Sequence, residues 1–495
     1  MTKAETLPRN WATSSFEGIY TLQYGKSLPK QARSNAGPYG VLGSSGIVGS
    51  HEEFLVEGPA IVVGRKGSIG SVTLCRDNFW PIDTTYFVKP PEGIDVVFAY
   101  YQLRSLHLHA LDKSTAIPGL SRDDAYALRI PIPPLREQRR IVAKLDELFS
   151  ELDKGVESLT TARLQLTAYR QALLKHAFEG KLTEDWRARN PDKVRPPEER
   201  LASIRAESDA RFAEALRAWE AEGKKTRKSP KPKRHEIAGN PDIPAHLADY
   251  RAKQWAWLPL GDISRVTGGI TKNPKRSSLP IAMKYLRVAN VYADRLELDE
   301  VASIGVTEEE FGNVRLQPGD MLVVEGNGSV EQIGRVAVWN AEIPDVGHQN
   351  HLIRVRFIAG MSPRFFLSFL ISPLGRDLIV RQASSTSGLH TLSISKVSGL
   401  SVPVPSAAEQ KAVLVVVDAL MSEIEKLAEE IEVGLARCEA LRQSILKRAF
   451  SGQLVAQDPN DEPASVLLER IKAGRQQSEM QKKNGRKKKA DKEAA

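Results

Sequence analysis

Cys75 and Cys438 are the only two cysteines, and nine histidines are scattered along the 495 residues. Two thiols supply neither a disulfide framework nor a four-thiolate zinc site, so a reducing, cytoplasmic setting is expected. Patterns that imitate catalytic motifs fail on spacing. Tyr24-Gly25-Lys26-Ser27 ends like a phosphate-binding loop, but Tyr20 stands where the glycine five residues before Gly25 is required. GRKGSIG (Gly64–Gly70) is a glycine-spaced turn after an apolar run. His348 and His351 stand three apart in VGHQNHL, which is not helical, and no carboxylate or thiolate cluster completes a metal set. No G-x-S-x-G elbow, H-E-x-x-H or Asn/Asp-Pro-Pro-Tyr is present. The chain therefore reads as a binder without its own chemistry, with no catalytic residue, metal ligand or cofactor assigned.

Side chains suited to binding gather in loops. The first half offers Lys26, Lys30, Arg33, Ser34 and Asn35, then Ser44 and Ser45, then Arg65, Lys66 and Ser68. The second half offers Lys272, Asn273, Lys275 and Arg276, then Arg287 and Asn290, Asn327 and Ser329, His348, Gln349 and Asn350, and the run from Ser384 to His390. Arg, Lys, Asn and Gln can read base edges bidentately, while Ser, Thr and Lys hold phosphates. Ordinary loop solvation accounts for any one of them; the set carries the argument.

These loops need a scaffold, and an internal repeat supplies it. Pro131–Leu182 matches Pro403–Leu454 without gaps at an offset of 272, with 19 identities in 52 positions, including Pro131/Pro403, Glu137/Glu409, Gln138/Gln410, Phe178/Phe450 and Gly180/Gly452. Each copy carries a heptad. Ile141, Leu145, Leu148, Leu152, Leu159 and Leu166 mark the seam of the first; Val417, Leu420, Ile424, Leu427, Ile431 and Leu441 mark the second. Pro-x-Pro forces an extended approach and Gly180 or Gly452 gives a left-handed stop. About 44 helical residues at 1.5 Å each make a rod of roughly 65 Å. Two such seams pack most simply on each other as an antiparallel pair about a pseudo-twofold; pairing in trans in a homodimer is the alternative. Cys438 falls on the seam and reads as an apolar packing residue.

Each helix follows a segment rich in strand-like runs, and the two segments resemble one another weakly. Trp11…Gly25 lies over Trp255…Gly269, Glu57–Ser68 over Pro318–Ser329, and Gly119–Pro133 over Thr391–Pro405. The expected fold is α+β: two mixed α/β domains separated by two long helices. The expected boundaries are a domain at 1–130, a helical spacer at 131–185, a linker at 186–250, a second domain at 251–402, a second spacer at 403–454 and a basic, disordered tail at 455–495. Net charge says little about the folded parts. Gly223–His235 contributes +7 and Lys472–Ala495 contributes +6, more than the whole formal charge of +9. No run approaches 18 apolar residues, so a membrane span is not expected.

The order of variable unit, long helix, variable unit, long helix resembles the DNA-specificity subunit of type I restriction–modification systems. The residues that carry the resemblance are Pro131–Gln138 and Pro403–Gln410, the helix ends Leu173–Leu182 and Ile445–Leu454, the opening Trp255–Gly269, and the stretches Tyr285–Leu298, Gln317–Ser329 and Gly347–Arg356. The first unit departs from the pattern in lacking a clear Leu-Gly-Asp opening, and the basic run lengthens the usual spacer. The resemblance implies that each domain reads one half of a split DNA site, with the helices as a ruler. It implies partners as well: double-stranded DNA, two modification subunits carrying S-adenosylmethionine and the adenine-methylating site, and restriction subunits using ATP and Mg. Because the two units differ in sequence, an asymmetric bipartite site follows. The competing reading is a coiled-coil scaffold that assembles partners without touching DNA.

Overall fold

The computed structural model describes residues 7–34, 36–111, 119–221, 237, 254–386 and 389–493. The chain divides into two units: Met1–Thr161 with Ile431–Ala495, and Ala162–Glu430. The basic run at 223–235 and Asn35 lie outside the described residues.

In the first unit the strands are β1 (Ala12–Ser15), β2 (Gln23–Tyr24), β3 (Tyr39–Gly43), β4 (Gly46–His51), β5 (Ala60–Gly64), β6 (Val72–Cys75), β7 (Phe79–Pro81), β8 (Thr85–Val88) and β9 (Arg129–Ile132). β1 pairs antiparallel with β9, Ala12 opposite Ile132. A four-stranded sheet runs β2-β8-β5-β6, and a three-stranded one runs β4-β3-β7, in which β3 and β7 are parallel. β5 is the β-branched run AIVVG, buried at all five residues, as expected of a central strand covered on both faces. Phe16, Tyr20, Ile61, Val63, Val88, Phe98, Ile130 and Ile132 form the core. Burial of each large side chain contributes roughly 1.5–3 kcal/mol.

The second unit repeats this plan. Ala256–Pro259 pairs antiparallel with Ser401–Val404, Ala256 opposite Val404, the counterpart of Ala12 opposite Ile132. Its four-stranded sheet orders Ser264–Thr267, Leu352–Phe357, Met321–Val324 and Val336–Val338; its three-stranded one orders Ala302–Val306, Ile281–Leu286 and Val346–His348, the last pair parallel. Helix Val96–Ser105 in the first unit answers to Pro363–Ile371 in the second, whose Phe365, Phe366 and Phe369 are fully buried. The weak overlay of the sequences thus corresponds to one topology used twice.

The long helices run Leu135–Phe178 and Ala407–Phe450, 44 residues each. In the first unit Ile141, Leu145 and Phe149 pack with Ile445, Leu446 and Ala449; in the second Val413 and Val417 pack with Leu174, Ala177 and Phe178. The start of each helix meets the end of the other, so the pairing is antiparallel. Leu159 lies over Gly434, where a Cβ would come within 3.1 Å of it. Gly180 and Gly452 adopt φ of 74° and 76°, the left-handed stops that a non-glycine residue tolerates poorly.

Two seam positions depart from expectation. Leu427 is 49% exposed and Leu441 is 48% exposed, whereas their neighbours Ala428 and Arg442 turn inward. A strict 3.5-residue repeat drifts by about 20° per heptad on a helix of 3.6 residues per turn. Contact therefore passes to the adjacent position, and Arg442 lies 4.8 Å over the Phe149 ring and pairs with Asp153. The stretches expected as linker and tail also hold helices, Pro197–Ala221 and Ala464–Glu493. Ile204 is buried in the second unit, and Ala464, Leu467 and Ile471 in the first. Such anchored turns offset the cost of helix nucleation, which composition alone does not reveal. No helix among the described residues is long and apolar enough to cross a membrane.

Candidate nucleic-acid interface

In the first unit the polar loops converge on the turn Pro81–Thr85. Gly25 and Lys26 donate their backbone N–H groups to Thr85 and Pro81 carbonyls at 3.1 and 2.9 Å, and Arg65 and Lys66 donate theirs to Thr84 at 2.9 and 3.1 Å. Ser71 Oγ donates to the Ser44 carbonyl at 2.6 Å, which brings the Ser44-Ser45 turn to the Lys66–Ser68 turn. A side chain at Gly25 is excluded, since its Cβ would stand 2.2 Å from the Ile82 carbonyl. Lys26, Ser44, Ser45, Arg65, Lys66 and Ser68 thus belong to one loop cluster, with Lys26, Ser45, Lys66 and Ser68 exposed. Lys30 and Arg33 occupy a neighbouring loop, in which Arg33 turns back onto the Leu28 carbonyl through Nε at 3.0 Å and Nη2 at 2.7 Å.

In the second unit the loops at 270, 325–329, 349–351 and 390 meet. Ile270 N–H donates to the His348 carbonyl and Asn350 N–H to the Ile270 carbonyl, both at 2.9 Å. Gly269 is the counterpart of Gly25, its Cβ position 2.2 Å from the His348 carbonyl. Asn327 pairs opposite His390, and its Oδ1 accepts from Ser329 N–H at 2.9 Å. His351, half-exposed, faces Glu325 with Nδ1 to Oε2 at 2.8 Å. Lys272 and Lys275 are exposed on the adjoining loop.

Three expected interface residues serve the fold instead. His348 is fully buried with Nδ1 3.0 Å from the Val314 carbonyl; burial, and then the Arg354 charge, push its pKa down to about 4. Asn290 is buried and bonds the Glu297 and Glu300 carbonyls at 2.8 and 2.9 Å. Arg276 forms a two-pronged pair with Glu310 at 2.9 and 3.0 Å, which holds that carboxyl at about 2. Neither a buried imidazole nor a neutralised guanidinium presents a free edge to a duplex. Arg287, partly buried, follows Leu286 on the rim of the cluster, where Gln349 N–H reaches the Leu286 carbonyl at 2.9 Å.

The sequence marked Glu-Gln without giving it a task; the structure supplies one, twice. Gln138 is buried, its Oε1 accepts from Asp95 N–H at 2.9 Å and its Nε2 donates to the Pro133 carbonyl at 3.1 Å. Gln410 does the same with Ser362 N–H at 2.8 Å and the Pro405 carbonyl at 3.1 Å. Asp95 and Ser362 are the N-caps of Val96–Ser105 and Pro363–Ile371. Glu137 accepts from Gln457 at 2.7 Å, and Glu409 from Arg187 at 2.7 Å and Thr183 at 3.0 Å. Each pair therefore ties a loop-bearing domain to the start of one long helix and to the segment following the other. Sequence reasoning assigns no interface role to Arg122, nor to Tyr24 and His351, which it offers only within motifs that fail; their neighbours Arg65 and Glu325 come from other parts of the chain.

The cluster offers hydrogen bonding and positive charge. Burial raises the Cys75 thiol to about 12, and no group of three His, Cys, Asp or Glu residues among those described is placed to hold a metal ion.

Comparison with known proteins matches residues 8–159 to the type I restriction modification DNA specificity domain. The type I restriction enzyme EcoKI specificity subunit of Escherichia coli (strain K12) is 27% identical over 361 residues, 70% of this chain and 64% of that protein. The EcoDI specificity subunit of Escherichia coli is 23% identical over 482 residues, 95% of this chain and 97% of that protein. A structure described as the basis of complex assembly and conformational transition of the type I R-M system superposes with a TM-score of 0.59 at 15% identity, over 90% of this chain and 99% of that one. The last likeness is one of fold.

Proposed function

From a chain that is related to type I restriction enzyme specificity subunits and carries their DNA specificity domain at residues 8–159, we propose that it recognises a specific DNA sequence on behalf of partner subunits. The two domains each read one half of an asymmetric bipartite site, and the helix pair fixes the unread spacer between the halves. Two modification subunits add the methyl group to adenine, and restriction subunits supply ATP-dependent cleavage. The chain itself is non-catalytic and works in the cytoplasm.

One observation carries this reading: a single topology appears twice, clamped in the same way to each helix, but with different polar loops. Lys66 stands in one loop where Asn327 stands in the other, and Ser68 answers to Ser329. A scaffold has no need of two frames that agree while their exposed tips differ.

The test is a domain exchange. Residues 1–130 are replaced by the corresponding domain of another specificity subunit, and methylated adenines are mapped across the genome of a host supplying the modification subunits. One half of the methylated sequence should change while the other half and the spacer stay. A change in both halves refutes the two-reader arrangement.

A further inference from the structure

Tyr24, 51% exposed on β2, is flanked by two guanidinium groups from separate elements. Arg65, on the turn leaving β5, stands 4.9 Å from the centre of the Tyr24 ring and 5.9 Å from that of Tyr86. Arg122, at the start of the short helix Arg122–Tyr126, stands 5.5 Å from Tyr24 and 5.2 Å from Tyr126. The rings fix the cations without neutralising them, because a ring quadrupole attracts a cation but carries no net charge. Neither arginine forms an ion pair with a carboxylate among the described residues. Both line a solvent-open cleft of about 580 Å³, together with Lys66 and the carboxylate of Asp123, so cations outnumber acids there by three to one. The Tyr24 hydroxyl is drawn toward ionisation by its hydrogen bond with Tyr86 and then by Arg122 and Arg65, as expected where positive potential accumulates.

The fold does not require this cluster. The repeat sets Gly268 at the position of Tyr24 and Ile394 at that of Arg122. There neither position carries a charge, and Ile394 Cδ1 lies 3.3 Å from where a Gly268 Cβ would be, with Ile394 itself 44% exposed. The second unit keeps the same sheet order without the two cations.

We propose that the Tyr24, Arg65 and Arg122 cleft seats a backbone phosphate of the DNA duplex, giving the first unit an anchor that the second lacks. This rests on the DNA-recognition reading above. A phosphate fits better than a base edge. Arg65 already spends Nη1 on the Asp83 carbonyl at 3.1 Å, and Arg122 spends Nη2 on the Tyr126 hydroxyl at 3.1 Å. One terminal nitrogen of each guanidinium is thereby engaged and held toward the cleft wall, and two cations converging on one cleft suit a single anion.

The experiment uses the full chain assembled with modification subunits, and measures anisotropy of a duplex carrying the methylated sequence and of an unrelated duplex between 50 and 200 mM KCl. Arg122→Gln should weaken both duplexes by the same factor and lower the slope of log K against log salt by about 1. Affinity then becomes about 3.5-fold less salt-sensitive over that range. Arg122→Lys should retain the slope, and Arg65→Gln should repeat the loss, which keeps the test open if one variant folds poorly. A methylation pattern relaxed at a single base would overturn the proposal in favour of base reading. An unchanged slope in both glutamine variants would overturn it outright. If the unmodified complex prefers no sequence, the DNA-recognition reading fails instead.

Discussion

Replacing Gln138 by Leu tests the clamp directly. The side chain is fully buried, and its amide is the partner of Asp95 N–H and of the Pro133 carbonyl. Leucine fills similar space but leaves both groups unpaired. Each orphaned buried group costs roughly 1–3 kcal/mol, and the apolar replacement recovers part of that, so a net loss of about 2–4 kcal/mol is expected. Asp95 caps Val97 and Phe98 through its own carboxylate at 2.9 and 3.0 Å, so the damage should centre on that helix start. Amide hydrogen exchange in the full chain reads it: protection at Asp95 should fall by a factor of 30 or more, since 2 kcal/mol corresponds to about 30-fold. Arg136→Leu, an exposed change two residues away, should stay within about 0.5 kcal/mol. Gln138→Glu should be milder at pH 5 than at pH 7, because a protonated carboxyl can donate to Pro133 and a buried carboxylate cannot. Protection at Asp95 that survives in Gln138→Leu would refute the clamp.

Other outcomes follow from the same geometry. His348 titrates near 4 in the fold against about 6.5 unfolded, so the unfolded chain takes up its proton first as pH falls. Stability should therefore decline between pH 6.5 and 4, and His348→Gln should flatten that decline in urea titrations without altering the methylated sequence. Glu310 is held at about 2 by Arg276, which stabilises the fold above the ordinary carboxylate pKa and is lost as pH falls from about 4.5 toward 2; Arg276→Gln should remove that acid-sensitive component in thermal melts and leave DNA specificity intact. Leu427→Glu and Leu441→Glu should each destabilise the free chain by less than about 1 kcal/mol, whereas Leu145→Ala should cost about 2–5 kcal/mol in urea unfolding.

Features with local causes were legible in the sequence. The helices announced themselves by periodicity, their ends by Gly180 and Gly452, and the duplication by its constant offset. What escaped depends on groups brought together from a distance. Nothing near His348 foretells that the Val314 carbonyl, 34 residues away, will bury it. Arg276 looks like any loop cation until Glu310 arrives. Tyr24 and Arg122 are 98 positions apart, and only the fold stacks them. The seam erred for a subtler reason, since the heptad and the helix have slightly different periods.

The clamp also explains how two domains can share a frame while their sequences diverge. Gln138 and Gln410 bond to main-chain atoms, the N–H of Asp95 or Ser362 and the carbonyl of Pro133 or Pro405. Any domain that offers a helix start at that place can dock, whatever its side chains. The caps themselves differ, a carboxylate in one unit and a hydroxyl in the other, and the bond lengths agree within 0.1 Å. The side-chain half of the clamp has drifted in turn: Glu137 takes Gln457, and Glu409 takes Arg187 and Thr183. Constraint thus falls on the backbone of the domain and on the two residues of the helix, and it leaves the loops at the strand ends free to vary. An attachment made through side chains of the domain would have tied its recognition surface to its anchorage; one made through the backbone separates them.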